Sequence, residues 1–296
     1  MDLLVIGDAN PDVIVSGAPR QPAFGQREEL VESGRLVLGG SGAITACGAA
    51  RLGLRTAFVG RVGADPAGAF VLDELTRRGV DVSACVVDPD APTALTVVLA
   101  DGADRAILTA SGCLDRLTAA DVPAGLLRDA AHVHVSSYFL QPGLADGLPA
   151  LFRQARSTSL DTNDDPSGRW EGLDELLAVT GLLLPNDREA LRLADEDDLP
   201  AAVRRLAATG TTPVVKCGQD GALTIDGGEL VSVPAREARV VDTVGAGDSF
   251  NAGLLAARHR GLGVRRSLEI AVACGTLSTR AAGGTAAQPT WEDVTA

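Results

Sequence analysis

Short, unbroken apolar runs separated by helix-like stretches recur along the chain, and this alternation limits its fold more than any other feature. Leu3 to Ile6, Thr56 to Val59, His132 to Ser136, Ser157 to Leu160, Gly181 to Leu184 and Pro213 to Cys217 read as strands. A strand covered by helices on both faces needs continuous rather than alternating apolarity. Ala43 to Leu52, Ala67 to Arg78 and Asp187 to Leu193 read as helices, the first two stopped by Gly53 and Gly79, which suit a left-handed cap. The pattern predicts an α/β fold, a doubly wound, mostly parallel sheet in a three-layer, Rossmann-type arrangement. With 296 residues, 46 % of them apolar, the chain can fill such a core.

Two regions break the rhythm. Glu29 to Leu38, and Thr93 to Thr109 around Asp101-Gly102, read as antiparallel strands that could meet as a small sheet suited to a lid. A further hairpin, Ala222 to Ile225 and Glu229 to Val233 around Asp226-Gly227-Gly228, falls late and extends the main sheet. With no internal repeat and no long linker, the expectation is one domain over 1–296, its lid drawn from about 12–38 and 82–112.

Charge and composition narrow the partners. Net charge is −13, from 39 acids against 26 bases, and no basic cluster exceeds two residues, so nucleic acid is excluded. No apolar run approaches the roughly 18 residues of a membrane span, and no basic stretch precedes the first apolar run, which predicts a cytoplasmic chain without membrane contact. Cys47, Cys85, Cys113, Cys217 and Cys274 are odd in number and widely spaced, which argues for reduced thiols. Lys216 is the only lysine, and it is not followed by Ser or Thr after a Gly-rich loop, so a Walker A motif is absent. Gly40-Ser41-Gly42-Ala43-Ile44-Thr45 matches a dinucleotide fingerprint poorly, and neither a Gly-x-Ser-x-Gly elbow nor a zinc set occurs.

One segment carries more chemistry. In Asp242-Thr243-Val244-Gly245-Ala246-Gly247-Asp248-Ser249-Phe250, the nearly side-chain-free Gly245, Ala246 and Gly247 can converge their N–H groups at a helix start. Such a nest, with the helix dipole behind it, binds anions and stabilises charge on a phosphoryl group in flight. Asp248, in the first turn, is placed to accept a proton from an attacking hydroxyl. The alternative is a glycine-rich turn whose aspartate only complements the dipole.

These nine residues closely resemble the C-terminal signature of the ribokinase-like (PfkB) carbohydrate kinases, and the resemblance extends over essentially the whole chain. It implies a ribokinase-like fold, a catalytic base at Asp248 and an anion hole at Gly245, Ala246 and Gly247. Asn186-Asp187-Arg188-Glu189 resembles the family's Asn-x-x-Glu motif, which implies that Asn186 serves the nucleotide and that Glu189 holds Mg²⁺ through water; Asn and Glu at this spacing are equally a capping box. Lys216, Gly218 and Gly221 resemble the nucleotide loop, a surface lysine before a hairpin being the alternative. Gly7-Asp8-Ala9-Asn10-Pro11-Asp12 and Gly39-Gly40-Ser41-Gly42 resemble substrate-side motifs, which assigns Asn10, Asp12, Gly39 and Gly40 to the sugar; by themselves they read as turns. Gly283 to Thr290 resembles the loop that, with Asp242 and Val244, encloses a monovalent cation such as K⁺ in many members.

The chain also departs from the pattern. Ser41 stands where ribokinase reads Lys, Ile44 where it reads Asn, and Asp165 takes the arginine position of an Asp-Pro-Asn-x-Arg-like segment at Asp161 to Asp165. Arg169 is placed to compensate at the arginine position or is simply exposed, and Arg20, Arg27 and Arg105, in or near the lid, could supply cations. The expectation is an ATP- and Mg²⁺-dependent sugar kinase acting on a small neutral sugar, pairing as a homodimer through the lid. A nucleoside kinase would want aromatic residues to stack a base, and aromatics are only 3 % of the chain. An NAD(P) oxidoreductase and a catalytically idle sugar sensor are the readings from other classes.

Overall fold

The computed structural model describes residues 1–101 and 104–296. Its organising strand is Leu3–Ile6, fully buried along its length. Leu3 and Val5 pack with Phe58 and the apolar residues of the Ser41–Arg51, Ala246–His259 and Val264–Ser278 helices. Leu4 and Ile6 point the other way, into a second core built on Leu144, Leu148, Leu176 and Val203. Successive side chains of a strand alternate between faces, so a strand apolar at every position needs both faces covered.

Eight strands form the main sheet, in the spatial order Glu229–Val233, Ala222–Asp226, Thr212–Lys216, Leu182–Leu183, Thr158–Asp161, His132–Ser136, Leu3–Ile6 and Thr56–Val59. The six from Thr212–Lys216 onward run parallel, while the late hairpin joins antiparallel at one edge. The fold is therefore the doubly wound, mostly parallel α/β architecture that the sequence predicts.

A second sheet has four strands in the order Ser33–Gly39, Asn10–Ser16, Leu95–Asp101 and Asp104–Ala110. Its central pair is parallel and its outer pairs are antiparallel. Asn10–Ser16 is thus a strand whose first residues, Asn10 to Asp12, read by themselves as a turn, while the rest falls in the 12–38 stretch expected to feed the lid. The glycine and aspartates ahead of it outweigh the β-branched run Val13-Ile14-Val15 in a local reading, although that run supplies the strand propensity. Val86–Asp88 lies apart from this sheet and pairs with Arg61–Gly63. The Gly102 of the expected Asp101-Gly102 turn lies outside the described residues.

Among the described residues no helix is long and apolar enough to cross a membrane. All five cysteines are free, Cys47, Cys113 and Cys274 being buried.

Candidate active site

The carboxyl ends of the parallel strands and the N-termini of three helices, Ser41–Arg51, Asp187–Ala194 and Ala246–His259, converge on one cluster. The Ala246–His259 helix starts from Gly245, whose φ of 71° is left-handed. A Cβ there would also come within 2.6 Å of Gly284 Cα, so glycine is required on both counts. Gly245, Ala246 and Gly247 sit at this helix start with no side-chain cap, and Asp248 is buried in the first turn. Lys216, at the end of its strand, is brought against the same turn: a Cβ added to Gly247 would lie 3.6 Å from Lys216 Nζ.

Far from being a surface lysine, Lys216 is largely buried. Its Nζ donates to Asp161 Oδ2 at 2.5 Å, and that oxygen also accepts Asn251 Nδ2 at 2.6 Å. Burial works against the ammonium, but the carboxylates of Asp161, Glu189 and Asp248 outweigh it and raise its pKa. Asp248 is pushed up to about 8, first by burial and then by the negative charge of Asp161, with Lys216 opposing. Glu189 rises to about 7 for the same two reasons. Three carboxyl groups share one ammonium, so Asp248 and Glu189 hold their protons more tightly than usual, and a cation entering the cluster would favour their ionised forms.

Asn186 and Glu189 do form the capping box. Asn186 N–H donates to Glu189 Oε2 at 2.8 Å, Glu189 N–H donates to Asn186 Oδ1 at 2.9 Å, and Asn186 Nδ2 adds a bond to Glu189 Oε1 at 2.7 Å. The same geometry holds Glu189 beside the Asp161–Lys216 pair, so capping and membership of the cluster coexist. Gly218 and Gly221 flank the short turn after Lys216. A Cβ on Gly221 would lie 2.0 Å from the Val233 carbonyl, so its need for glycine comes from the neighbouring hairpin.

On the other side, Asn10 and Asp12 line the inner face of the four-stranded sheet. Asn10 Nδ2 donates to Asp12 Oδ1 at 2.7 Å and to Thr96 Oγ1 at 3.1 Å. Burial raises Asp12 to about 6, against the favourable bond from Asn10. Gly39 is paired with Asn10, and a Cβ on it would strike the Asp12 carboxylate, 2.1 Å from Oδ1. Gly40 precedes the Ser41–Arg51 helix, whose first N–H groups, from Ser41 and Gly42, go to Asp8 at 3.0 and 2.9 Å.

Asp242 and Val244 also meet the late glycine loop. Asp242 Oδ1 accepts Val244 N–H at 3.0 Å and Oδ2 accepts Gly283 N–H at 2.9 Å, while the Arg105 guanidinium stands 3.7 Å from Oδ1. Asp165 turns onto its own loop, accepting N–H groups of Ser167, Arg169 and Trp170 at 2.8, 3.0 and 2.7 Å.

Residues given no role in the sequence reading complete the cluster: Asp8, Ser41, Asp161, Asn163 and Asn251. Asn251 carried a usable signal, since it lies three residues beyond Asp248 and so shares its helix face. Beneath them Ser159 Oγ bridges His132 Nε2 and His134 Nδ1, each at 2.7 Å, and His134 Nε2 meets Ser136 Oγ at 2.9 Å. Burial depresses His134 to about 4, so it stays neutral.

A buried carboxyl group and a largely buried lysine meet at an uncapped glycine-rich helix start, at the carboxyl edge of a doubly wound sheet, although the Ala246 N–H of that start is taken by the Thr243 carbonyl at 3.2 Å. The model of the pfkB family carbohydrate kinase matches residues 1–291. The chain belongs to that family and is an enzyme of the sugar-kinase class. It is 31 % identical over 314 residues to a fructokinase of Klebsiella pneumoniae, covering 98 % of this chain and 97 % of that protein. It is 32 % identical over 301 residues to an ATP-dependent ribose-1-phosphate kinase of Halopiger xanaduensis, covering 99 % and 97 %. The structure of Arabidopsis thaliana ribokinase complexed with ribose and ATP superimposes with a TM-score of 0.87 at 26 % identity, covering 99 % of this chain and 97 % of that one.

Proposed function

We propose that the chain transfers the γ-phosphoryl group of ATP to a hydroxyl of a small neutral sugar, with Asp248 as general base. The observation that carries this is the buried Asp248 carboxyl group in the first turn of a helix whose Gly245-Ala246-Gly247 start is flanked by Lys216. The base removes the acceptor's proton, while the nest and Lys216 hold the negative charge that shifts between the phosphates. Asn186, Gly218 and Gly221 border the nucleotide, whose phosphates would come to Lys216. Mg²⁺ suits a cluster of three carboxyl groups with a single ammonium, with Glu189 holding it through water and the phosphates supplying the remaining ligands. The metal would neutralise charge on the transferring group.

Asn10, Asp12, Gly39 and Gly40 would hold the acceptor, and the four-stranded sheet would act as its lid, excluding water. A sugar is favoured over a nucleoside because the polar row of the inner face is Asn10, Asp12, Thr96 and Thr109, with no aromatic ring. Phe24, the aromatic nearest the first lid strand in sequence, is 97 % exposed. A coupled ATP-consumption screen over pentoses, hexoses, ketoses, sugar acids, sugar phosphates and nucleosides tests the reading, and turnover confined to nucleosides overturns it. On the lid's opposite face Val13, Leu36, Val97 and Leu108 stand in one register row, a surface suited to a second copy, which light scattering would detect.

Two substitutions separate the ligands. Asp12→Ala should raise KM for the acceptor roughly 10- to 100-fold, because a charged hydrogen bond contributes about 1.5–3 kcal/mol, and leave KM for ATP unchanged. A normal acceptor KM would move recognition elsewhere. Glu189→Gln keeps the side-chain length but removes the charge and replaces one of the two oxygens that accept from Asn186 by a donor, so the Mg²⁺ concentration for half-maximal rate should rise several-fold with some loss of Tm. An unchanged Mg²⁺ requirement with only a lower Tm would reduce Glu189 to a cap.

A further inference from the structure

The parallel strands His132–Ser136 and Thr158–Asp161 share one apolar face, on which Val133 stands beside Thr158 and Val135 beside Leu160. Their other face is polar at every level. It carries His132, His134 and Ser136 on one strand, and Ser159 and Asp161, preceded by Ser157, on the other. This row runs beside Leu3 and Val5 of the central strand, where a polar group without a partner is costly.

Five of these side chains form one unbroken chain of hydrogen bonds. Ser157 Oγ meets His132 Nδ1 at 2.9 Å, His132 Nε2 meets Ser159 Oγ at 2.7 Å, the same oxygen meets His134 Nδ1 at 2.7 Å, and His134 Nε2 meets Ser136 Oγ at 2.9 Å. Burial keeps both rings neutral, so each has one N–H. Ser159 has one hydrogen for two ring nitrogens, so it donates to one ring and accepts from the other. The two rings must therefore hold the same tautomer.

Two polarities remain, and the ends of the chain choose between them. If both rings are Nε2–H, His134 donates to Ser136, whose own hydrogen then needs another acceptor. Ser136 is fully buried, and among the described residues its Oγ meets only His134 Nε2. If both are Nδ1–H, Ser136 donates to His134, each ring donates outward, and the exposed Ser157 gives the last hydrogen to water. Only this arrangement satisfies every donor.

We infer that Ser136, His134, Ser159, His132 and Ser157 form a hydrogen-bond chain of one polarity, with both rings Nδ1–H, and that it pins the register that positions Asp161. The apolar face alone tolerates a slip of two residues, which keeps each side chain on its own face. Such a slip would carry Asp161 about 7 Å along the sheet, away from Lys216 and Asn251, which it now accepts from. It would also take Ser159 from between the two rings. The functional weight of the pin rests on the reading of Lys216 as the cation that meets the phosphates.

The full chain has three histidines, and His259, outside the row, serves as the reference in ¹⁵N spectra that distinguish a protonated ring nitrogen from a bare one. Wild-type protein should show Nδ1–H at both His132 and His134, a result that needs no variant. In Ser159→Ala, His134 should stay Nδ1–H because Ser136 still donates to it, while His132, given no hydrogen at Nε2, should become a mixture of tautomers. KM for ATP should rise roughly 3- to 10-fold. Ser159→Thr, which keeps the hydroxyl, should restore both readouts. Unlike tautomers in the wild type, or Nε2–H at both rings, overturn the chain. If Lys216→Met raises KM for ATP while Ser159→Ala does not, the pin has failed. If Lys216→Met leaves KM for ATP unchanged, the reading of Lys216 has failed, and the Asn251 side-chain amide resonance judges the pin: it should move in Ser159→Ala, and an unmoved signal overturns it.

Discussion

Asp248→Asn should lower kcat by roughly 10²–10⁴-fold, the usual contribution of a general base, and leave KM for ATP close to wild type. The substitution keeps the shape of the side chain, so the Gly245-Ala246-Gly247 turn and its contact with Lys216 persist. It should also stabilise the protein, with a pH dependence that identifies the cause. Burial and the charge of Asp161 raise the Asp248 pKa to about 8, far above the ordinary 3.8. A raised carboxyl pKa means that the folded state binds the proton more tightly than the unfolded chain. Its favourable contribution is complete below about pH 4 and is lost as pH rises toward 8. Asparagine has no such loss, so the variant's Tm advantage should be small at pH 5 and largest near pH 8. Wild-type kcat/KM, taken at low concentrations of both substrates, should rise over the same window as the base ionises. A variant keeping more than a tenth of wild-type kcat would remove Asp248 from the mechanism.

The gain in stability on losing activity has a physical reading. Asp161, Glu189 and Asp248 are buried within reach of a single ammonium, an arrangement that folding alone would not favour. Natural chains break local rules mainly where function requires it.

That reasoning also explains what could be read from the sequence and what could not. The main sheet was legible because its signal is local and redundant: six apolar runs, each bounded by glycines or helical stretches, leave little choice of architecture. The helix start at Gly245 and the acid at Asp248 were legible because the glycines and the acid are contiguous. The start of Asn10–Ser16 was not, because the strand exists through its pairing with Leu95–Asp101, more than eighty residues away, and the turn-like residues at its beginning dominate a local window. Asp161 and Asn163 were visible as part of a motif, but their partners Lys216, Asn251 and Ser41 are brought to them only by the order of the strands. Lys216 shows the limit most clearly. A lone lysine before a Gly-rich hairpin points to a phosphate-side role without saying what it pairs with, and only the parallel pairing of its strand beside Leu182–Leu183 carries it into the cluster.

The burial of Lys216 leads to the second large effect. Lys216→Met should cost about 3–5 kcal/mol, because it leaves the Asp161 carboxylate buried with Asn251 as its remaining side-chain donor. For a chain of this size that corresponds to a fall in Tm of roughly 10 °C. KM for ATP should rise, since the ammonium beside Gly247 is the group placed to meet the phosphates. The two losses have different origins and can be separated. In Lys216→Met/Asp161→Asn the buried charge is gone, and the new amide can still meet Asn251, so most of the lost Tm should return. The affinity for ATP should not, because no cation has been restored. Thermal melts and steady-state kinetics on both single variants and the double variant decide the matter. A Lys216→Met protein with wild-type Tm would mean that Asp161 is not an unpaired charge in its absence, and one with wild-type KM for ATP would mean that Lys216 serves the carboxylates alone.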